Sequence, residues 1–179
     1  MHLAIHREQN IMLRIKPEIR RGLLPAALLA TLTAQAADVV QQRTIGMELA
    51  RDVASEAVLA CRKAGYQVSA VVVDASAAVR AVLRDDVAAR FTIELAQRKA
   101  NMVIMGGTSS GAVAENRADI RTELNQIDGL IMLRGGLPIV VGGYRIGAVG
   151  VSGAPGGDKD EACAQAALDK LEDRIAFSD

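Results

Sequence analysis

The sequence predicts one α+β domain, a mainly antiparallel five-stranded sheet flanked by helices, and three observations carry that reading. Short β-branched runs are joined by tight small-residue turns, the arrangement of antiparallel hairpins. Apolar stripes of helical period stand before, between and after those runs, so helices cover the sheet. The 179 residues suffice for a single domain of ordinary size.

The elements follow in order. Over residues 43–64, Ile45, Leu49, Val53, Ala57 and Cys61 recur at every fourth position beside Ala50, Ala54 and Val58. This is a helix with one buried stripe, stopped by Gly65. Residues 68–74 form a run too short for a helix, and 79–83 follow it after the turn Ala75-Ser76-Ala77-Ala78, which makes a hairpin. A second helix spans 88–105, with Phe91, Leu95, Val103 and Ile104 directed inward. Gly106 to Gly111 break it, and the polar stretch to Asp128 reads as short helices and loop. Residues 130–133, 138–141 and 144–151 are three further strands, the last two joined at Gly142-Gly143, where positive φ is cheap. A final helix reaches Ala176, with Cys163, Ala164, Ala167, Leu168, Leu171 and Ile175 on one face.

Residues 1–36 read as a cleavable signal peptide. Arg14, Lys16, Arg20 and Arg21 precede an apolar run over 23–32, and Ala34-Gln35-Ala36 closes it in the form that signal peptidase accepts. The run is broken by Pro25 and is half the length of about 20 residues that a membrane span requires. Met12 opens the signal pattern cleanly and is an alternative translation start. The expected mature domain is residues 37–179, located in the periplasm or secreted. Its charge differs from the balanced precursor, because the first 36 residues hold five basic and two acidic side chains, which leaves a net −3. A mildly acidic domain with four aromatic residues lacks the field and the stacking rings that nucleic acid requires. Nothing basic remains to hold a membrane surface after cleavage.

His2 and His6 are the only histidines, so the mature domain has none. That excludes Ser-His-Asp and Cys-His catalysis, and the nucleophile-elbow-like Gly150-Val151-Ser152-Gly153 has no base to activate Ser152. An ordinary zinc site cannot be built from two cysteines so far apart, and Gly106–Gly111 holds no Lys or Arg for a phosphate loop. Cys61 and Cys163 both lie on buried helix stripes, as packed core residues or as a disulfide between the first and last helices. The turn from Ser152 to Asp158 joins a strand to a helix. Its glycines Gly153 and Gly156 are either structural or a backbone contact to a ligand, with Asp158, Asp160 and Glu161 set against the positive helix end. Glu94 and Arg98 make an exposed i,i+4 pair, while Arg84 and Asp86 suit a pocket rim.

Val71-Val72-Val73-Asp74, Arg84-Asp85-Asp86-Val87-Ala88, Glu94-Leu95-Ala96-Gln97-Arg98-Lys99-Ala100, Gly135-Gly136-Leu137-Pro138-Ile139 and the run from Ile146 to Ala154 together resemble the GlcG/HbpS family of haem-binding-protein-like domains. That family also supplies the C-terminal domain of some cobalamin adenosyltransferases. The resemblance covers nearly all of the expected mature chain. It implies a profilin-like or Roadblock-like sandwich, assembly into homo-oligomers, and haem or a related tetrapyrrole as ligand. The family pattern Arg-x-Asp-Gly-Ala has Val87 at its glycine here, and Phe91 stands nearest to the histidine that exported relatives place after it. Met102, Met105, Met132, Tyr66, Tyr144 and Lys99 remain as donors to iron, none in a recognisable ligand context. The candidate ligand-binding residues are thus Arg84, Asp86, Phe91, Lys99, Gly153 and Gly156, with no metal site. The expected function is non-catalytic binding of haem, a related tetrapyrrole or another small hydrophobic molecule. The rival is a small enzyme for a catabolic carboxylate, with Asp86 or Asp74 as acid or base and Arg84 gripping the substrate.

Overall fold

The computed structural model describes residues 39–177; the predicted signal segment lies outside them. One antiparallel sheet runs β2-β1-β4-β3, built from β1 (Ser69–Asp74), β2 (Val79–Arg84), β3 (Gly136–Val141) and β4 (Tyr144–Ser152). The sheet is therefore four-stranded rather than five-stranded. The expected strand at 130–133 is a loop, because its backbone is engaged locally: Leu130 N donates to Ile127 O and Met132 N to Asn125 Oδ1. Met132 is the buried residue of that run, packed with Met102, Val113 and Ala114, so its apolar character anchors a loop.

Every residue of β1 is buried, since helices cover both faces of a central strand. Ala70 and Val72 face α1 (Met47–Lys63) and α5 (Gly157–Lys170), whereas Val71 and Val73 face α2 (Thr92–Gly106). The stripe Leu49, Val53, Ala57 and Cys61 lies on the sheet as its spacing predicts. The helix begins at Met47 because Ile45 N is already bonded to Ile146 O, which holds that residue extended beside β4. α2 begins four residues later than its pattern suggests, and Phe91 is its N-cap, 61% exposed instead of turned inward. After α2 come α3 (Ser110–Asn116), a 3-10 turn (Ala118–Ile120) and α4 (Arg121–Leu124). The expected terminal helix is broken at Leu171 into α5 and α6 (Glu172–Ala176).

Cys61 and Cys163 are joined by a disulfide that links α1 to α5, with Cα atoms 5.3 Å apart. Lys170 adds a 2.6 Å ion pair to Glu56 across the same two helices. Closing a loop of 102 residues restricts the unfolded chain. The alanine-rich contact already holds the helices together, so Cys61→Ser is expected to cost about 2–3 kcal/mol. Thermal melting with and without reductant checks this: reductant should lower the wild-type midpoint to that of the variant and leave the variant unchanged.

α2 lies unusually close to the sheet. Gly136 and Gly150 are register partners on β3 and β4, and both face it. A Cβ at Gly136 would sit 2.5 Å from Lys99 O, and one at Gly150 would overlap Ala96 O. The small residues Ala96 and Ala100 complete a seam in which backbone meets backbone.

Candidate functional site

The end of β2 and the loop from it to α2 carry Arg84, Asp86 and Phe91. The loop's strut is a residue that the sequence reading did not single out. Asp85 is buried, accepts a 3.1 Å hydrogen bond from Arg62 Nε and a second from Arg62 Nη2, and caps Asp86 N at 2.8 Å. The hydrogen bonds from Arg62 hold its carboxyl below the usual carboxylate range against the opposing effect of burial. Asp85 thus stays ionised at neutral pH and fixes the loop to α1. Asp86, next to it, is exposed and 3.6 Å from Arg62. Arg84 Nη1 donates to Ala88 O at 3.3 Å, closing the loop on itself.

That closure leaves Val87 and Phe91 facing outward, 79% and 61% exposed. Arg90 lies over the Phe91 ring, 4.3 Å from its centroid. A stacked guanidinium at an exposed site contributes about 0.5–1 kcal/mol, so a larger flat partner can displace it. Two exposed apolar side chains on one loop that also carries Arg84 and Arg90 have the chemistry to meet a flat apolar molecule bearing carboxylates.

Beside this loop, a cavity of about 590 Å³ opens between the start of α2, the end of β4 and the start of α5. Thr92, Leu95 and Lys99 form one wall; Ser152, Gly153 and Gly156 form another. Three of the predicted residues, Lys99, Gly153 and Gly156, therefore meet in one place, while Arg84, Asp86 and Phe91 stand outside it. Lys99 is not free to bind a ligand. Its ammonium is buried, 2.7 Å from Asp160 Oδ2 and 2.9 Å from Val151 O. Asp160 Oδ1 in turn accepts from Ala154 N at 3.0 Å, so the pair pins the glycine turn. Arg134, on the cavity wall, is held by Glu115 and Glu161. A second cavity of about 620 Å³, lined by Arg43, Met47, Val141 and Arg174, lies at the opposite end of the sheet and contains none of the predicted residues.

Asp74 cannot cooperate with Arg84 or Asp86. It ends β1 at the far edge of the strand from Ser69, whose register partner is Arg84, a separation of about 17 Å at ~3.3 Å per residue. Its carboxylate organises the hairpin turn, accepting from Ser76 N, Ser76 Oγ and Ala78 N. Burial raises its pKa, but those bonds and the charge of Arg80 outweigh it and leave the group below the usual range. It is a turn-forming anion, not an acid poised near neutrality.

No set of iron donors assembles here. Among the described residues there is no histidine, and both cysteines are in the disulfide. Met102 and Met132 are buried in the core, and Tyr144 stacks with Arg43 at 4.9 Å. The exposed Val87 and Phe91 side chains offer no donor atom to iron.

Residues 45–169 match the profile of a family described as haem-degrading, HbpS-like proteins. HbpS of Streptomyces reticuli, solved as a double mutant, is 32% identical with a TM-score of 0.71 over 79% of this chain and 97% of that one. Protein ORFY of Klebsiella pneumoniae is 24% identical at a TM-score of 0.71, covering 78% and 98%. PduOC, solved in complex with haem, is 21% identical at a TM-score of 0.62, covering 70% and 94%. The last two likenesses show the fold alone. Comparison with curated proteins finds no match.

Proposed function

The chain belongs to the HbpS-like family, and from that membership we propose that it is an exported, self-associating protein that binds haem or a related tetrapyrrole without catalysing a reaction of its own. One observation carries the binding: the β2–α2 loop presents Val87 and Phe91 to solvent, with the Arg90 guanidinium over the Phe91 ring. Burying a ring such as Phe91 against a flat ligand yields about 1.5–3 kcal/mol. With no iron ligand from this surface, binding rests on that packing and on charge, and association is loose.

Export is supported by the disulfide, which persists in oxidising compartments. Self-association is supported by Val79 and Val82, exposed on the edge strand β2. The rival enzymatic reading loses Asp74, which lies at the opposite end of β1 from the register partner of Arg84; Asp86 is a solvated loop residue, which favours binding over acid–base work there.

Haem titration followed by visible absorbance tests the placement. Val87→Asp, at a largely exposed position, is expected to weaken binding about tenfold, or about 1.4 kcal/mol, without lowering the melting temperature. Unchanged affinity in that variant would place the ligand elsewhere.

A further inference from the structure

We propose that the cavity beside Ser152 takes a single carboxylate group; resting on the haem reading above, that group is one propionate of a ring packed on Phe91. The first observation is a hydroxyl. Ala148 and Gly150 face α2, so strand alternation turns Ser152 to the same side, where it lines the cavity with Thr92, Leu95 and Lys99. It is only 4% exposed. Its register partner Ser69 bonds Thr92 Oγ1 at 2.8 Å, yet Ser152 Oγ has no hydrogen-bond partner among the described residues. The hydroxyl opens onto the cavity, where a ligand acceptor can take its hydrogen bond in place of solvent.

The second observation is the start of α5. Gly156 caps it without a side chain, and the N–H groups of Gly157 and Asp158 have no partner among the described residues. Two of the three acidic residues expected to neutralise this end are occupied elsewhere, Asp160 by Lys99 and Ala154 N and Glu161 by Arg134, which leaves Asp158 alone in the first turn. Gly153 and Gly156 have φ of 135° and 133°, a conformation open to glycine, and they let the backbone line the cavity directly. A carboxylate at this point accepts from Ser152 Oγ and from the helix end, an arrangement that favours negative charge. Leu95, one turn beyond Phe91 on α2, provides the apolar path from the exposed ring to the cavity. Asp158, exposed at the rim, opposes any anion there, so the site holds at most one carboxylate and holds it below the affinity the helix end would otherwise give.

The test titrates the full chain carrying His2→Ala and His6→Ala with haem, with haem dimethyl ester and with 4-methylpentanoate, a small free carboxylate. Ser152→Ala should leave the melting temperature unchanged while weakening haem and 4-methylpentanoate about tenfold. The ester should bind about tenfold more weakly than haem and be indifferent to that substitution. Asp158→Asn should tighten both carboxylates severalfold. Equal binding of haem and its ester, with Ser152→Ala silent, overturns the carboxylate site and leaves the haem reading intact. Binding of 4-methylpentanoate through Ser152 with no binding of haem keeps the site and overturns the haem reading. Failure of all three ligands overturns both.

Discussion

Gly150→Ala is expected to destabilise the protein by about 4 kcal/mol or more, a loss beyond the usual range for overpacking by one methyl group. The reason is that the new Cβ meets backbone, which cannot rotate away. It would overlap the Ala96 carbonyl oxygen and stand 2.9 Å from Ala100 N. Relief requires lifting α2 from the sheet, which opens the contacts of Val71, Val73 and Val103 together with the 2.8 Å bond between Ser69 and Thr92. Denaturant unfolding should show a large fall in midpoint with an unchanged slope. Gly46→Ala is the control, since a Cβ there has nothing within 4 Å. A loss at Gly150 no greater than at Gly46 would mean that α2 does not approach β4 so closely.

The second large effect is expected at the buried pair. Lys99→Met leaves the Asp160 carboxylate in the interior with Ala154 N as its remaining partner, and breaking a buried pair in this way costs about 3–5 kcal/mol. Replacing both charges removes the orphan, so Lys99→Met with Asp160→Asn should recover at least half of the loss. Additive losses in the double variant, measured by denaturant unfolding, would show that the two side chains are not coupled.

These positions show where the sequence was legible. Helices α1 and α2, the β1–β2 hairpin and the β3–β4 hairpin announce themselves because burial on one or both faces writes a period into the chain, and Gly65 and Gly142-Gly143 punctuate it. Residues 130–133 deceived that reading: a run of four apolar residues looks the same whether it pairs as a strand or drops a single methionine into a pocket. Phe91 was placed inward by the helical period of the residues after it, but it precedes the first turn, where that period does not hold. The halves of the site were unequally visible. Gly153 and Gly156 stood out because a glycine-rich turn between strand and helix is a local signal. Lys99 on α2 and Asp160 on α5, 61 residues apart, meet only because both helices pack on β4, and no spacing encodes it. Asp85 and Asp86 are indistinguishable as adjacent carboxylates in the sequence, and only the position of Arg62 separates them. Ser152 has no base beside it to make it a nucleophile, and that its hydroxyl opens onto a cavity is a feature of the fold.

Central to the account is a flat ligand that packs on the Val87–Phe91 surface without an iron ligand from it. Visible spectroscopy of the full chain carrying His2→Ala and His6→Ala, titrated with haem with and without Phe91→His, tests this most directly. The parent should bind weakly with a broad spectrum. Phe91→His should sharpen and shift the main absorption band and tighten binding at least tenfold, because imidazole then reaches the iron. Tight binding by the parent, with neither affinity nor spectrum altered by Phe91→His, would contradict the account.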